Sequence, residues 1–326
     1  FRYGPDLAAQ VFGFDAACNI SEWQQRLQQH LSHAESIYAL WQHDGVADND
    51  IIGMWRKLCA DVAYRKIDGN IITPAQILCY LSFILDEMRL IKDAHEIALL
   101  RTAGQLSAEA HNKAMQAACK GVTEYQLEAE ILYHFTRNNA RSPAYNSIVA
   151  AGKNACTLHY VQNNAVLQDG QLVLIDAGAE YGCYAGDITR TFPVNGRFTG
   201  AQKAVYEIVL EANKQAIAAI APNVLWQEVS DVALKVLVTG LVDLKLLHGN
   251  VEDNIANQAY RRFYMHGIGH WIGLDVHDVG GRFYQGQPRL MLENMCTTVE
   301  PGLYINAADD IPPEFHNIGI RIEDNV

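Results

Sequence analysis

No apolar run in this 326-residue chain reaches the length needed to span a membrane. Basic residues are scarce: 25 Lys and Arg stand against 37 Asp and Glu, a formal net charge of -12. Phosphate contacts need clustered Lys and Arg, so no nucleic-acid partner is expected. No CxxC pair occurs. The seven cysteines (Cys18, Cys59, Cys79, Cys119, Cys156, Cys183 and Cys296) are odd in number and scattered. That pattern argues against a disulfide framework and fits reduced, mostly buried thiols in a cytoplasmic protein. Charged residues make up 19% and hydrophobic ones 49%, the balance of a soluble globular protein. The chain opens on Phe1 rather than Met, which leaves room for a segment ahead of it. No short-period repeat or low-complexity segment interrupts it.

What is present divides into two regions. In the first, short strands and helices alternate. Ser21 can cap a helix with Trp23, Leu27 and Leu31 on one face. An apolar strand over 37–41 ends at His43-Asp44-Gly45, and residues 50–65 read as helix. Thr73-Pro74 reads as the N-cap and first-turn proline of a helix to about Arg89. A boundary near 88–93 gives a smaller α/β domain over 1–90 and a second domain over 91–326. Asp93 and Glu96 have capping-box spacing and open a long helix that stops at Gly121. Thr123 and Gln126 repeat the signal for a helix to about Asn138. Strand-like segments run over 146–192. Helices follow at roughly 199–221, 226–245 and 253–264. From His266 the chain is Gly-rich and strand-like to its end.

The second region carries the chemistry. Val173-Leu174-Ile175-Asp176 and Gly186-Asp187-Ile188-Thr189 flank a turn; if Tyr181-Gly182 forms it, Asp176 sits directly opposite Asp187. Like charges across a sheet repel, and an unpaired carboxylate at the end of an apolar strand is costly. A cation between them resolves both problems; two exposed aspartates at a strand end fit the pair equally well. His266, His270 and His277 fall within twelve residues, among glycines. A zinc-protease helix of the HExxH type is excluded, because Gly267 stands where its general base belongs and Gly267 and Gly269 oppose helix. Glu300 follows Val299, and in a strand Arg321 and Glu323 share a face. Either glutamate taken alone reads as a solvated carboxylate, and Glu323 can equally pair with Arg321. Together, Asp176, Asp187, His270, Glu300 and Glu323 form a hard, oxygen-rich donor set. It suits Mn²⁺, Mg²⁺ or Fe²⁺ better than a thiolate site would, with Zn²⁺ or Co²⁺ also able to bind. Four carboxylates call for more than one divalent ion, the composition of a dinuclear hydrolase.

The order Asp, Asp, His, Glu, Glu within LIDAGAEY, AGDITRTF, HGIGHWIG, VEPGLY and GIRIED closely resembles the pita-bread metallopeptidases, which include methionine aminopeptidase, prolidase and aminopeptidase P. TLHY, GDITRTFPVNGRF and HGIGHWIGLDVHDVG look most like the bacterial aminopeptidase P branch, and the similarity extends back through EMRLIKDAHEIALLR. The resemblance implies an α/β (α+β) pita-bread catalytic domain of two related halves behind a smaller, partial, creatinase-like N-terminal domain. It implies hydrolysis of the bond between an N-terminal residue and a following proline, with peptide substrates and a homodimer or homotetramer. Two metal ions, Mn²⁺ foremost, would be held by Asp176 and Asp187 on one side and His270 and Glu300 on the other. Asp187 and Glu323 would bridge, and a bridging hydroxide would be the nucleophile. Glu300 would handle the water proton. His159 and His277 would contact substrate, His266 would shape the proline-side pocket, and Arg321 would steady the final Glu and nearby groups.

A prolidase with the same ligands, limited to dipeptides, is the nearest rival. Metal-free relatives of the same fold are disfavoured because all five ligand positions are filled. The chain departs from the family pattern in three places. Its first domain looks incomplete at the start, which bears on oligomer contacts. It ends at Asp324-Asn325-Val326, where the family continues, so the last metal strand is expected to lack a neighbour. Residues 292–298 run one residue short of a turn that usually contains Gly. A slip of one residue reverses side-chain facing, which makes the register before Glu300 the open point.

Overall fold

The computed structural model describes residues 3–31, 34–39, 46–61, 66–67, 70–71 and 77–326. The chain divides into two compact units, Phe1–Asp86 and Glu87–Val326. In the first unit, a 3₁₀ turn Ile20–Glu22 leads into the helix Trp23–Leu31. The cap is Asn19, whose side chain accepts from the Ser21 N–H at 3.1 Å, so Ser21 is not the capping residue. Ser36–Ala39 pairs in parallel with Ile77–Tyr80. This second strand takes the place of part of the helix expected from Thr73, and helix begins only at Ser82–Leu90. Ile77 and Tyr80 favour extended backbone, and a strand partner distant in sequence settles the conformation. Trp41, the 43–45 turn, Thr73 and Pro74 lie outside the described residues. Leu31, Ile37, Ala39 and Leu58 form this unit's buried core.

In the second unit, the Asp93 side chain accepts from the N–H groups of His95 and Glu96, and the Glu96 carboxylate accepts from the Asp93 N–H at 2.7 Å. The box starts the helix Ala94–Ala117, which ends four residues short of Gly121. Gln126 accepts likewise from the Thr123 N–H at 2.8 Å, starting Glu124–Arg137. These helices lay Leu106, Ala110, Leu127, Ile131 and Phe135 onto Val149, Val173 and Ile175 of a three-stranded antiparallel sheet. Its central strand Leu172–Asp176 is buried throughout, between Ile148–Ala151 and Thr189–Pro193. Side chains alternate across a strand. Val173 and Ile175 therefore pack under the helices, while Leu174 packs with Tyr304 and Tyr160 on the opposite face, the face that Asp176 shares.

The second half repeats the plan. The helices Gly200–Ala219 and Trp226–Asp243 cover Val299, Leu303, Ile305, Ile318 and Ile320 of a second antiparallel hairpin. Thr298–Val299 pairs with Asp324–Asn325, and Gly302–Ile305 with Ile318–Arg321. One register runs through both pairings, since Val299 faces Asp324 and Gly302 faces Arg321. It sets Glu300 opposite Glu323. Glu323 also bridges to Thr189 of the first half, so its strand has neighbours on both sides, contrary to expectation. In the shortened turn, Asn294 supplies the left-handed residue at φ 69° that a Gly would otherwise provide.

Candidate metal centre

The first hairpin turns at Gly182-Cys183, both left-handed (φ 57° and 69°), as a tight two-residue turn requires. The turn therefore lies one residue beyond Tyr181-Gly182, and the register shifts by two. Asp176 faces Thr189, not Asp187. A shift of two keeps every side chain on its own face, so both aspartates still point to the same side. The strands draw together at Gly178, where a Cβ would stand 1.7 Å from the Gly186 carbonyl oxygen. The Asn325 side-chain amide then holds Asp187 by its backbone, accepting from its N–H at 3.0 Å and donating to its C=O at 2.8 Å.

All nine residues singled out from the sequence line one cavity of about 430 Å³: His159, Asp176, Asp187, His266, His270, His277, Glu300, Arg321 and Glu323. Asp187, His270 and Glu323 each offer a ligand atom, and these atoms lie within 4.8 Å of one another. His270 Nε2 stands 3.4 Å from Asp187 Oδ2 and 3.7 Å from Glu300 Oε1. Its Nδ1 meets the Trp271 carbonyl at 2.9 Å. A carbonyl only accepts, so Nδ1 carries a proton, and Nε2 is the ring nitrogen turned to the carboxylates.

Four carboxylates crowd one buried space. Burial and the Asp176 charge push Asp187 well above the usual carboxylate range. Burial and the Asp187 charge do the same to Glu323. Glu300 is pushed up to about 8 by burial and by Glu323. The Tyr145 hydroxyl contacts both Asp176 Oδ1 and Asp187 Oδ1. A phenol has one hydrogen, so with both carboxylates ionised only one contact is a donated bond, and the other needs a further proton or a cation. Divalent cations meet this demand without protonating any ligand, and the oxygen-rich donor set fits them.

Arg321, 4% exposed, donates to Asp176 Oδ2 at 2.5 Å, to the Tyr304 hydroxyl at 2.9 Å and to Thr189 Oγ1 at 3.2 Å. It reaches Glu323 through Thr189, whose hydroxyl donates to Glu323 at 2.6 Å. A direct Arg321–Glu323 pair, which the shared face allows, is replaced by this relay. His266 is pushed down to about 4 by burial and the Arg321 charge, so the ring is neutral. Its Nδ1 donates to the Gly267 carbonyl at 2.8 Å, and its Nε2 accepts from Tyr304 at 2.9 Å. The exposed His277 ring meets His270 edge to face, centroids 4.4 Å apart. His159 is exposed on the cavity rim.

Sequence reasoning missed Tyr145 and Tyr304. Tyr304 was findable: in a strand it shares the face of Glu300 and Gly302. Tyr145 lies outside any strand and gives no signal among fifteen tyrosines.

The model of metallopeptidase family M24 matches residues 98–326. The Xaa-Pro aminopeptidase of Haemophilus influenzae is 52% identical, and that of Escherichia coli 44% identical, over 325 residues. Each alignment covers 100% of this chain, and 71% and 72% of those relatives respectively. The solved proline aminopeptidase P II of Yersinia pestis superposes with a TM-score of 0.93 at 46% identity, covering 99% of this chain and 73% of that one. A zinc-substituted E. coli aminopeptidase P in complex with product gives 0.94 at 43% identity, covering 100% and 72%. The expected pita-bread fold is borne out. The chain belongs to metallopeptidase family M24 and, within it, groups with the aminopeptidase P proteins.

Proposed function

We propose that this chain is a dinuclear metal aminopeptidase that hydrolyses the bond between an N-terminal residue and a following proline. One observation carries the reading. Asp187, His270 and Glu323 come from three distant segments, yet their ligand atoms gather within 4.8 Å, in a cavity that Asp176 and Glu300 also line. Asp176 and Asp187 would hold one ion, His270 and Glu300 the other, and Asp187 and Glu323 would serve both. Divalent ions held there, Mn²⁺ foremost, would supply a hydroxide nucleophile at neutral pH and stabilise the developing oxyanion.

The chain's own residues supply the rest. Glu300, at the edge of the carboxylate cluster, takes and returns the proton of the attacking water. The His277 ring, at the cavity mouth beside His270, donates to the substrate carbonyl, and His159 lies on the same rim. The linked Arg321, Tyr304 and His266 groups fix the neutral His266 ring as a wall of the proline-side pocket. Peptides with proline second are the substrates. A homo-oligomer in the cytoplasm completes the reading; the seven cysteines form no disulfide among the described residues, and four are exposed and three half-buried rather than mostly buried as expected. The test is cleavage of matched Xaa-Pro-Yaa tripeptides, Xaa-Pro dipeptides and N-acetylated tripeptides. Release of the first residue from the free tripeptide alone is expected. Cleavage of the dipeptide only points to a prolidase, and equal rates on the acetylated peptide overturn the aminopeptidase reading.

A further inference from the structure

The short loop that carries His277 is exposed at Leu274, Asp275 and His277 itself. Its backbone is tied by the Asp278 N–H to Trp271 O at 2.9 Å and by the Ala185 N–H to Gly273 O at 2.9 Å. One residue after His277 the chain turns inward. The Asp278 side chain is 1% exposed, and its Oδ2 accepts from Lys92 Nζ, itself 1% exposed, at 3.1 Å. Its Oδ1 pairs with Arg89, which also reaches Asp275 at 2.7 Å. Two cations and two carboxylates thus balance. The loop winds closely round the pair: a Cβ on Gly273 would stand 2.2 Å from Asp278 Oδ2 and 3.0 Å from Lys92 Cε. Lys92 sits at the junction of the helices Ser82–Leu90 and Ala94–Ala117, and its N–H donates to Asn294 O at 2.9 Å.

A fully buried lysine is rare, and desolvating an ion pair offsets much of its attraction. Apolar residues of the same volume would often serve stability as well, so stability alone does not account for the pair. A charged, directional tie between the segment leading into the helix Ala94–Ala117 and a short loop does something packing does less well: it fixes where the loop's next residue points.

We propose that Lys92 and Asp278 are positioning residues, whose buried ion pair, with Arg89, holds the loop so that the His277 ring stays against His270. The catalytic consequence rests on the reading of His277 given above. The test compares Asp278→Asn, Lys92→Met and the double variant with wild type and with His277→Ala. Kinetics use manganese-loaded protein. Histidine-selective ¹⁵N NMR uses zinc-loaded protein, with the His277 signal assigned by its loss in His277→Ala. Each single variant is expected to keep its metal and to shift or broaden the His277 signal while leaving that of buried His111 in place. Its kcat should fall about 10- to 100-fold with KM little changed, the scale of a small misplacement. The double variant should recover melting temperature, since no single charge of the pair is left buried, but not kcat. In a His277→Ala background, Asp278→Asn should cost no further turnover, because both act through one ring. Variants that melt lower yet keep the His277 signal and kcat per folded molecule would overturn the proposal. A displaced His277 signal with normal kcat in both Asp278→Asn and His277→Ala would uphold the positioning and overturn the reading of His277.

Discussion

Asp187 stands where three pieces of the chain converge. It faces His270, shares the Tyr145 hydroxyl with Asp176, and is clamped through its backbone by Asn325. Replacing Asp187 with Ala should abolish activity and lower bound metal, since a shared ligand serves both ions; full activity with normal metal stoichiometry contradicts the assignment. The histidines divide differently. His270→Ala should lose metal and turnover together. His277→Ala should keep its metal and lose about 10²–10³ in kcat, the cost of one preorganised donor. Metal content, melting temperature and kcat on both variants separate a substrate contact from a structural ring. The buried carboxyls also set a pH dependence. A carboxyl whose folded pKa is raised contributes stability that is fully present below its unfolded value and lost as pH rises through the folded value. For Glu300 that window runs from its ordinary 4.5 to about 8, and Asp187 and Glu323 shift the same way. The melting temperature of chelator-stripped protein should therefore fall between about pH 5 and 8. Metal should abolish that fall, and a rise in the stripped protein over the interval would contradict it. At this scale the sequence was informative wherever a residue sat in a recognisable phrase, and all nine such side chains line one cavity. Tyr145 was illegible because its place depends on a loop folding over two carboxylates.

The two hairpins decide where the carboxylates point. Gly178→Ala would drive a methyl group into the Gly186 carbonyl, between two rigid strands. Overpacking of this kind costs about 1–3 kcal/mol. Thermal unfolding and metal titration should show lower stability and weaker metal binding; wild-type values in both would mean the crossing relaxes freely. Legibility here follows the range of the interaction that sets each element. Both capping boxes were readable because the partners lie three residues apart. The helix expected from Thr73 failed because Ile77–Tyr80 takes its conformation from a strand some forty residues earlier. The register of the first hairpin failed by two, since the choice between Tyr181-Gly182 and Gly182-Cys183 turns on which pair adopts left-handed backbone. The error left the facing of both aspartates intact, because side-chain period in a strand is two.

At the scale of the molecule, two similar halves, each a helix pair over antiparallel strands, meet along the Thr189–Glu323 bridge. That bridge joins the strand Thr189–Pro193 of the first half to the last strand of the second, across 134 residues (323 − 189). No local pattern encodes it. The candidate ligand types and their order are legible in the sequence, while their convergence follows from packing each hairpin on its own helices. Net charge, at -12, spoke only against nucleic acid and left the substrate open. Four carboxylates share the cavity with one guanidinium, a charge excess that divalent cations would balance. The most direct test is a metal titration of chelator-stripped protein, following release of the first residue from a peptide with proline second. No release is expected without metal, and activity should return and saturate at two Mn²⁺ per chain. Undiminished release from stripped protein, or activity complete with a single ion bound, would contradict the dinuclear assignment.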